Sequence, residues 1–225
     1  TGSIVSGQKV SAIDVNGAGV VVTTTHGGKW HADSAVVAVP PRIADETIHW
    51  SPQLPADLAA ALQSTPTWMA PHAKAVALYE RPFWREQGAS GRIHSSVGPL
   101  VEVHDHCGAV GEPAALFGFV GVPAAERGPS LEAAIVQQLA RCFGAGSPLP
   151  SAVYVEDWAR DPLVSTLADL AGPGRHPSVR PDCLRAAHFE GYLVFAGAET
   201  ARVSPGLIEG AFAAGVHAAR LTLRG

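Results

Sequence analysis

The residues best placed to do chemistry lie near the end of the chain, in Leu193-Val-Phe-Ala-Gly197-Ala-Glu199-Thr200 and the following Pro205-Gly206-Leu207-Ile208-Glu209-Gly210-Ala211. An apolar run stops at Gly197, a short loop carries the Glu199 carboxylate, and Pro205-Gly206 opens an alanine-rich stretch reaching residue 221. The order predicts a strand, a turn and a helix N-terminus, with Pro205 in the first helical turn, where a missing N–H costs nothing. The N–H groups beyond it have no intrahelical acceptor and can hold an electron-rich oxygen. Gly206, Gly210, Ala214 and Ala218 recur every fourth residue, a stripe that admits another backbone or a flat ring at close range. Spacing alone equally fits an ordinary strand–helix crossover with a tightly packed helix.

Two other places offer reactive groups. Lys74 is the single lysine in the apolar run 73–79, and an ammonium held among apolar side chains can stabilise negative charge that develops beside it. The bland alternative is a surface lysine at a strand end. His104-Asp105-His106-Cys107 has metal-ligand residue types, but strand neighbours point to opposite faces, so four of them cannot meet one ion without a sharp turn. A polar strand end is the expectation there, with no metal.

These residues need elements to position them. The first forty residues predict β structure: 10–14 alternates, Asn16-Gly17 turns, 19–25 is β-branched, His26-Gly-Gly28 turns again, and 35–39 is an apolar strand stopped by Pro40-Pro41. Residues 55–62 predict a helix with Leu58, Ala61 and Leu62 on one face. Strands are predicted at 73–79, 91–96, 100–104, 114–120 and 152–158. Ser130 is the expected N-cap of a helix over 131–142, with Leu131, Ala134, Ile135 and Leu139 as its apolar face and Gly144 as its stop. The stretch 172–181 is a Gly/Pro-rich loop. Mixed strands and helices make the fold class α+β or α/β.

Composition narrows the classes. The chain has 225 residues, 47% of them hydrophobic, enough for one or two domains. Its net charge of −4 gives no basic field for nucleic acid. No apolar run approaches the roughly 20 residues of a membrane helix, and no charged n-region precedes an apolar h-region as in a signal peptide. Cys107, Cys142 and Cys183 are an odd set at unrelated spacings, which fits a reducing compartment and a cytoplasmic location. There is no initiator Met, and Met69 is the one methionine; a processed chain or a fragment is the expectation.

The closing segment resembles the C-terminal cofactor motif of the flavin-containing amine oxidase family, in which Phe-Ala-Gly-x-Glu-Thr and then Pro-Gly-x-x-Glu-Gly-Ala close the FAD site. Residues 195–211 follow that pattern nearly position by position. The resemblance extends backward through most of the chain. Val10, in Val-x-x-Ile-Asp, is similar to the strand that offers backbone groups to the adenine. Ala35-Val-Val-Ala-Val-Pro40-Pro41 resembles a segment near the cofactor, and Trp50-Ser-Pro-x-Leu-Pro55 its usual sequel. Lys74 followed by Tyr79 and Pro82-Phe-Trp84 resembles the lysine that holds a water at the flavin N5. Trp158, in Glu156-Asp-Trp-Ala-Arg160, resembles the tryptophan beside the isoalloxazine, where an indole gives a flat wall and an N–H donor.

The resemblance implies FAD held by Val10, Pro40, Trp158, Gly197, Glu199, Thr200, Gly206, Leu207 and Ile208, with Lys74 as the catalytic residue. Glu199 would accept from ribose or ribityl hydroxyls, and the Leu207 and Ile208 N–H groups would face the pyrimidine C2 carbonyl. It implies residues 1–45 and 186–225 on the FAD side and 46–185 on the substrate side. The partners implied are a small amine and O2, with a missing half or a second polypeptide to supply the dinucleotide fingerprint. That fingerprint, Gly-x-Gly-x-x-Gly between a strand and a helix, has no counterpart here. Gly17-Ala-Gly19 opens a strand, and the run from Gly191 to Gly197 sits at the wrong end of one. The chain is similar to the C-terminal half of such an enzyme, and alone it is expected to be inactive.

Two departures shape the expectation. Members that attach FAD covalently use a cysteine where this chain has Ser165-Thr-Leu-Ala168, so the FAD is expected to be non-covalent. The paired substrate-facing tyrosines of the monoamine oxidases fall at Ala168 and Leu207, which implies a wider pocket. Carotenoid desaturases and protoporphyrinogen oxidases share a similar closing motif, but Lys74, Phe83-Trp84 and Trp158 favour an amine oxidase. A non-catalytic fragment that does not bind FAD alone is the other alternative.

Overall fold

The computed structural model describes residues 2–171, 174 and 178–223, and their strands fall into three sheets. The chain divides into two compact units, Thr1–Trp68 with Thr166–Gly225, and Met69–Ser165. Residues 46–68 and 166–185 belong to the first of these.

In the first unit, β1 (Val10–Asn16) and β2 (Gly19–Thr24) form the expected hairpin, and β3 (Lys29–Ala32) adds to β2. The apolar run that follows does not continue this meander. It becomes β4 (Ala35–Val37) in another sheet, and only Val37 of its valines is buried, while Val36 is 48% exposed. Pro40-Pro41 stops the strand and also starts α1 (Pro41–Thr47), because proline at the first helical position forfeits no intrahelical bond. The proline-rich turn around Trp50 contains β5 (His49–Ser51), parallel to β1. Next, α2 (Ala56–Ser64) buries Leu58, Ala61 and Leu62 as its pattern requires. Each fully buried leucine contributes about 1.5–3 kcal/mol.

The second unit is one antiparallel sheet covered by a helix. Its elements are β6 (Ala73–Tyr79), α3 (Phe83–Glu86), β7 (Ile93–His94), β8 (Leu100–Asp105), β9 (Ala114–Val120), α4 (Leu131–Phe143) and β10 (Ala152–Asp157), with sheet order β10-β6-β9-β8-β7. The core lies on one face, where Ala73, Ala75, Ala77, Leu116, Ile135 and Leu139 meet the Tyr79, Phe83 and Trp84 rings. The strand expected over 91–96 shrinks to two residues, with Gly91 and Gly98 at positive φ on either side. Ser130 occupies the N-cap position of α4 but sits in helical φ/ψ and makes no capping bond with its side chain. Gly144 ends the helix at φ 92°.

The chain returns to the first unit through α5 (Leu167–Leu170), β11 (Ala187–His188), β12 (Leu193–Phe195) and α6 (Ile208–Thr222). Thr166 and Asp169 cap α5 reciprocally. Much of the predicted 172–181 loop (172, 173 and 175–177) lies outside the described residues. Parallel β4 and antiparallel β11 flank β12. The closing helix begins at Ile208, not at Pro205, because Gly206 at φ 73° and extended Leu207 cannot continue a right-handed helix. Gly210, Ala214 and Ala218 form its buried stripe, while Ile208, Phe212 and Val216 on the outer side are exposed.

Candidate functional site

In the first unit, parallel pairing of β4 with β12 brings the Pro40 and Gly197 ends side by side, and the Ala196 N–H donates to the Val37 carbonyl at 2.8 Å. A Cβ on Gly197 would stand 3.1 Å from Glu199 Oε2, so the turn is drawn tightly around that carboxylate. Thr200 donates its hydroxyl to the Gly197 carbonyl at 2.9 Å, and the Gly206 N–H reaches the Ala198 carbonyl at 3.0 Å. A Cβ on Gly210 would meet the Ser204 carbonyl oxygen at 2.2 Å, so only glycine lets α6 approach this loop. Gly197, Glu199 and Thr200 thus lie in one tight turn, Gly206 is bonded back to it, and Leu207 and Ile208 follow at the start of α6.

Glu199 is 8% exposed. Burial raises its carboxyl above the ordinary range; its own backbone N–H opposes the shift, and the Asp169 charge adds to it. Asp169 has its own partners, with Arg42 at 2.8 Å and the Thr67 N–H at 3.0 Å. Among the described residues the Glu199 side chain has no ion-pair partner, and a desolvated carboxyl of this kind can exchange hydrogen bonds with hydroxyl groups. At the start of α6 the Leu207 N–H already donates to the Ser204 carbonyl at 3.1 Å. The donors with no intrahelical acceptor there begin at Ile208. Val10 pairs with Thr24, and β5 joins β1 only from Ala12 onward, so β5 does not cover the other edge of Val10. Ala168 and Leu207 are both exposed and non-aromatic.

In the second unit the structure brings Lys74 and Trp158 into one groove of about 510 Å³. Antiparallel pairing sets Glu156 opposite Lys74 and Asp157 opposite Ala73, so Trp158 begins where β10 passes the start of β6. Trp158 is not in the strand, as predicted, but opens a single 3-10 turn, 158–160. Lys74 is half-buried, and its ammonium stands 5.9 Å from the centroid of the Phe119 ring. Phe119 packs edge-on against Phe117, which packs against His106. Burial, then the nearby Arg127 and Lys74 cations, push the His72 imidazole below its ordinary range. Phe117 and Phe119 were not singled out in the sequence, although Phe117-Gly-Phe119 alternates as one strand face should, and His106 was read there only as part of a polar strand end.

Three members of the four-residue polar run are engaged locally, while His106 turns to Phe117 and lines the groove. Asp105 pairs with Arg85 and also accepts from Trp84 Nε1 at 2.8 Å, so its carboxyl is held well below the usual range. His104 approaches Glu102 at 3.0 Å, and the Cys107 N–H donates to Asp105 at 2.9 Å.

Comparison with known proteins identifies the group. The sequence model of the family described as flavin containing amine oxidoreductase matches residues 1–223. The chain belongs to that family. A probable flavin-containing monoamine oxidase A of Dictyostelium discoideum is 28% identical over 211 residues, covering 88% of this chain and 44% of that protein. An L-amino acid dehydrogenase of Synechocystis is 40% identical over 89 residues, 40% of this chain and 18% of the relative. Among solved structures, cyclohexylamine oxidase from Brevibacterium oxydans superposes with a TM-score of 0.72 at 25% identity, over 96% of this chain and 48% of that one. The chain therefore spans under half the length of these relatives, and its mixed sheets and helices are a partial amine oxidase fold.

Proposed function

We propose that this chain is the closing portion of an FAD-dependent amine oxidase, with Lys74 as its catalytic residue. Bound FAD would supply two-electron oxidation of the C–N bond of a neutral amine, with O2 as the final acceptor released as hydrogen peroxide and the imine product hydrolysing to a carbonyl compound. In the first unit, Gly197, Glu199, Thr200 and Gly206 hold cofactor hydroxyls and backbone, with Val10 and Pro40 toward the adenine side. The Ile208 N–H, at the positive end of α6, would suit an electron-rich oxygen of the cofactor. In the second unit, Lys74 would hold a water and offer positive charge to the cofactor, and Trp158 would supply a flat wall. The observation that carries this reading is the groove shared by Lys74 and Trp158.

Ala168 and Leu207 leave the amine pocket without paired aromatic walls, so the substrate is an amine or amino acid broader than a simple arylalkylamine. The dinucleotide fingerprint comes from a further stretch of the same polypeptide or from a second one, and the exposed apolar side of α6 supports such cover. The 225-residue chain alone then retains little FAD and no turnover. Three unpaired cysteines support a cytoplasmic setting. Among the described residues no helix is long and apolar enough to cross a membrane.

The test is the visible spectrum of the complete protein, mixed anaerobically with a panel of cyclic amines, diamines, arylalkylamines and L-amino acids. A flavin spectrum bleached by one class, with peroxide formed on admitting air, is expected. A complete protein carrying no flavin would sink the reading.

A further inference from the structure

Arg127 is a buried cation, its side chain 4% exposed, with each guanidinium nitrogen engaged. Nε donates to the Val122 carbonyl at 2.9 Å, Nη2 to the Pro71 carbonyl at 2.7 Å, and Nη1 to the Asp157 carboxylate. Pro71 lies three residues before Lys74, Asp157 directly precedes Trp158, and Val122 follows the end of β9. One planar fork therefore ties together the ends of three strands, a geometry that a point-charge ammonium cannot copy. Ser165 makes the same connection a second time. Its hydroxyl lies 2.7 Å from the Trp158 carbonyl and 3.2 Å from the Ala70 carbonyl, and its single proton serves one at a time.

We propose that Arg127 and Ser165 are positioning residues that fix the Trp158 turn against the segment leading into Lys74. The proposal rests on reading Lys74 and Trp158 as the flavin-facing pair. Two side chains from separate loops bridge the same two segments, and neither is in the groove wall. A buried ion pair kept only for stability would need no second bridge between the same segments.

Labelling the complete protein with 5-fluorotryptophan, with or without flavin, resolves its indoles as fluorine resonances, and Trp158→Phe assigns one of them. Ser165→Ala and Arg127→Lys are expected to shift or broaden the Trp158 resonance while leaving those of the other tryptophans in place. If Arg127→Lys does not fold, Ser165→Ala carries the test. An unmoved Trp158 resonance in the folded variants overturns the proposal, and this readout needs no flavin, so it is independent of the proposed function. In the flavin-loaded complete protein, the same variants should slow flavin reduction by up to ~100-fold at unchanged amine KM, as small misplacements near a reacting centre do. A displaced Trp158 with wild-type reduction would overturn its link to catalysis.

Discussion

Lys74 and Phe119 face each other across the β6–β9 ladder, with the ammonium 5.9 Å from the ring centroid. Among the described residues no carboxylate comes within ion-pair distance of Lys74, although Glu156 is its neighbour on β10. The ring face thus flanks the ammonium, and on the proposed reading the donors of Lys74 serve a water, which a tight salt bridge would have consumed.

Phe119→Leu removes that ring face and keeps an apolar side chain. A cation–π contact of about 0.5–1 kcal/mol at a partly exposed site corresponds to roughly a two- to fivefold effect. Flavin reoxidation in the complete enzyme should slow by that factor, with the amine KM unchanged. Stopped-flow absorbance reads it, and an unchanged rate would show that the ring does not orient the ammonium.

Glu199 gives a pH signature. Burial raises its folded-state pKa, so its contribution to stability is present below the unfolded carboxyl value and is lost as pH rises through the folded one. At neutral pH the buried charge is therefore a cost to the cofactor-free chain. Glu199→Gln should raise the melting temperature at pH 7 and lose that advantage near pH 4. Equal gains at both pH values would contradict a raised pKa.

Asp105 behaves in the opposite sense. Its depressed pKa means that its stabilising bonds to Arg85 and Trp84 are present above the unfolded carboxyl value and are lost as pH falls through the folded one. Asp105→Ala also leaves the fully buried Trp84 indole N–H without its acceptor, at a cost of about 1–3 kcal/mol. Urea unfolding at pH 7 measures it; a variant as stable as the parent would show that the indole finds another acceptor.

The flavin of the complete enzyme should be released by acid. Ser165 stands in the segment where covalent members carry a cysteine, and its hydroxyl is committed to the Trp158 and Ala70 carbonyls. Precipitation should leave the yellow colour in the supernatant, whereas a flavin-bearing peptide spanning 165–169 would refute this.

Strands β6 and β9 and helices α2 and α4 were legible because one clean period marks each of them. The misses have local causes. Proline at 41 reads as a stop, yet it is also a helix starter, and Pro205 shows the reverse error, because Gly206 adopts a left-handed φ that no pattern announces. β4 left the first meander because its partner, β12, lies more than 150 residues later in the chain, and register between distant strands has no local signal. Gln138 occupies a core position of α4, seven residues after Leu131, and its amide satisfies the Leu100 backbone at 2.7 Å on both sides. A polar residue on an apolar stripe was the available signal. Lys74 and Trp158 were nameable by resemblance, but the bridges through Arg127 and Ser165 join residues scattered over about a hundred positions.

The most direct test of the account is Lys74→Met in the flavin-loaded complete enzyme, which keeps much of the volume and removes the charge and the donors. Losing one preorganised electrostatic contact costs on the order of a hundredfold or more in rate. Stopped-flow absorbance separates the half-reactions: the account expects slowing of about that size in reoxidation by oxygen, with amine affinity little changed. Reduction and reoxidation at wild-type rates would make Lys74 an ordinary strand lysine and contradict the catalytic assignment.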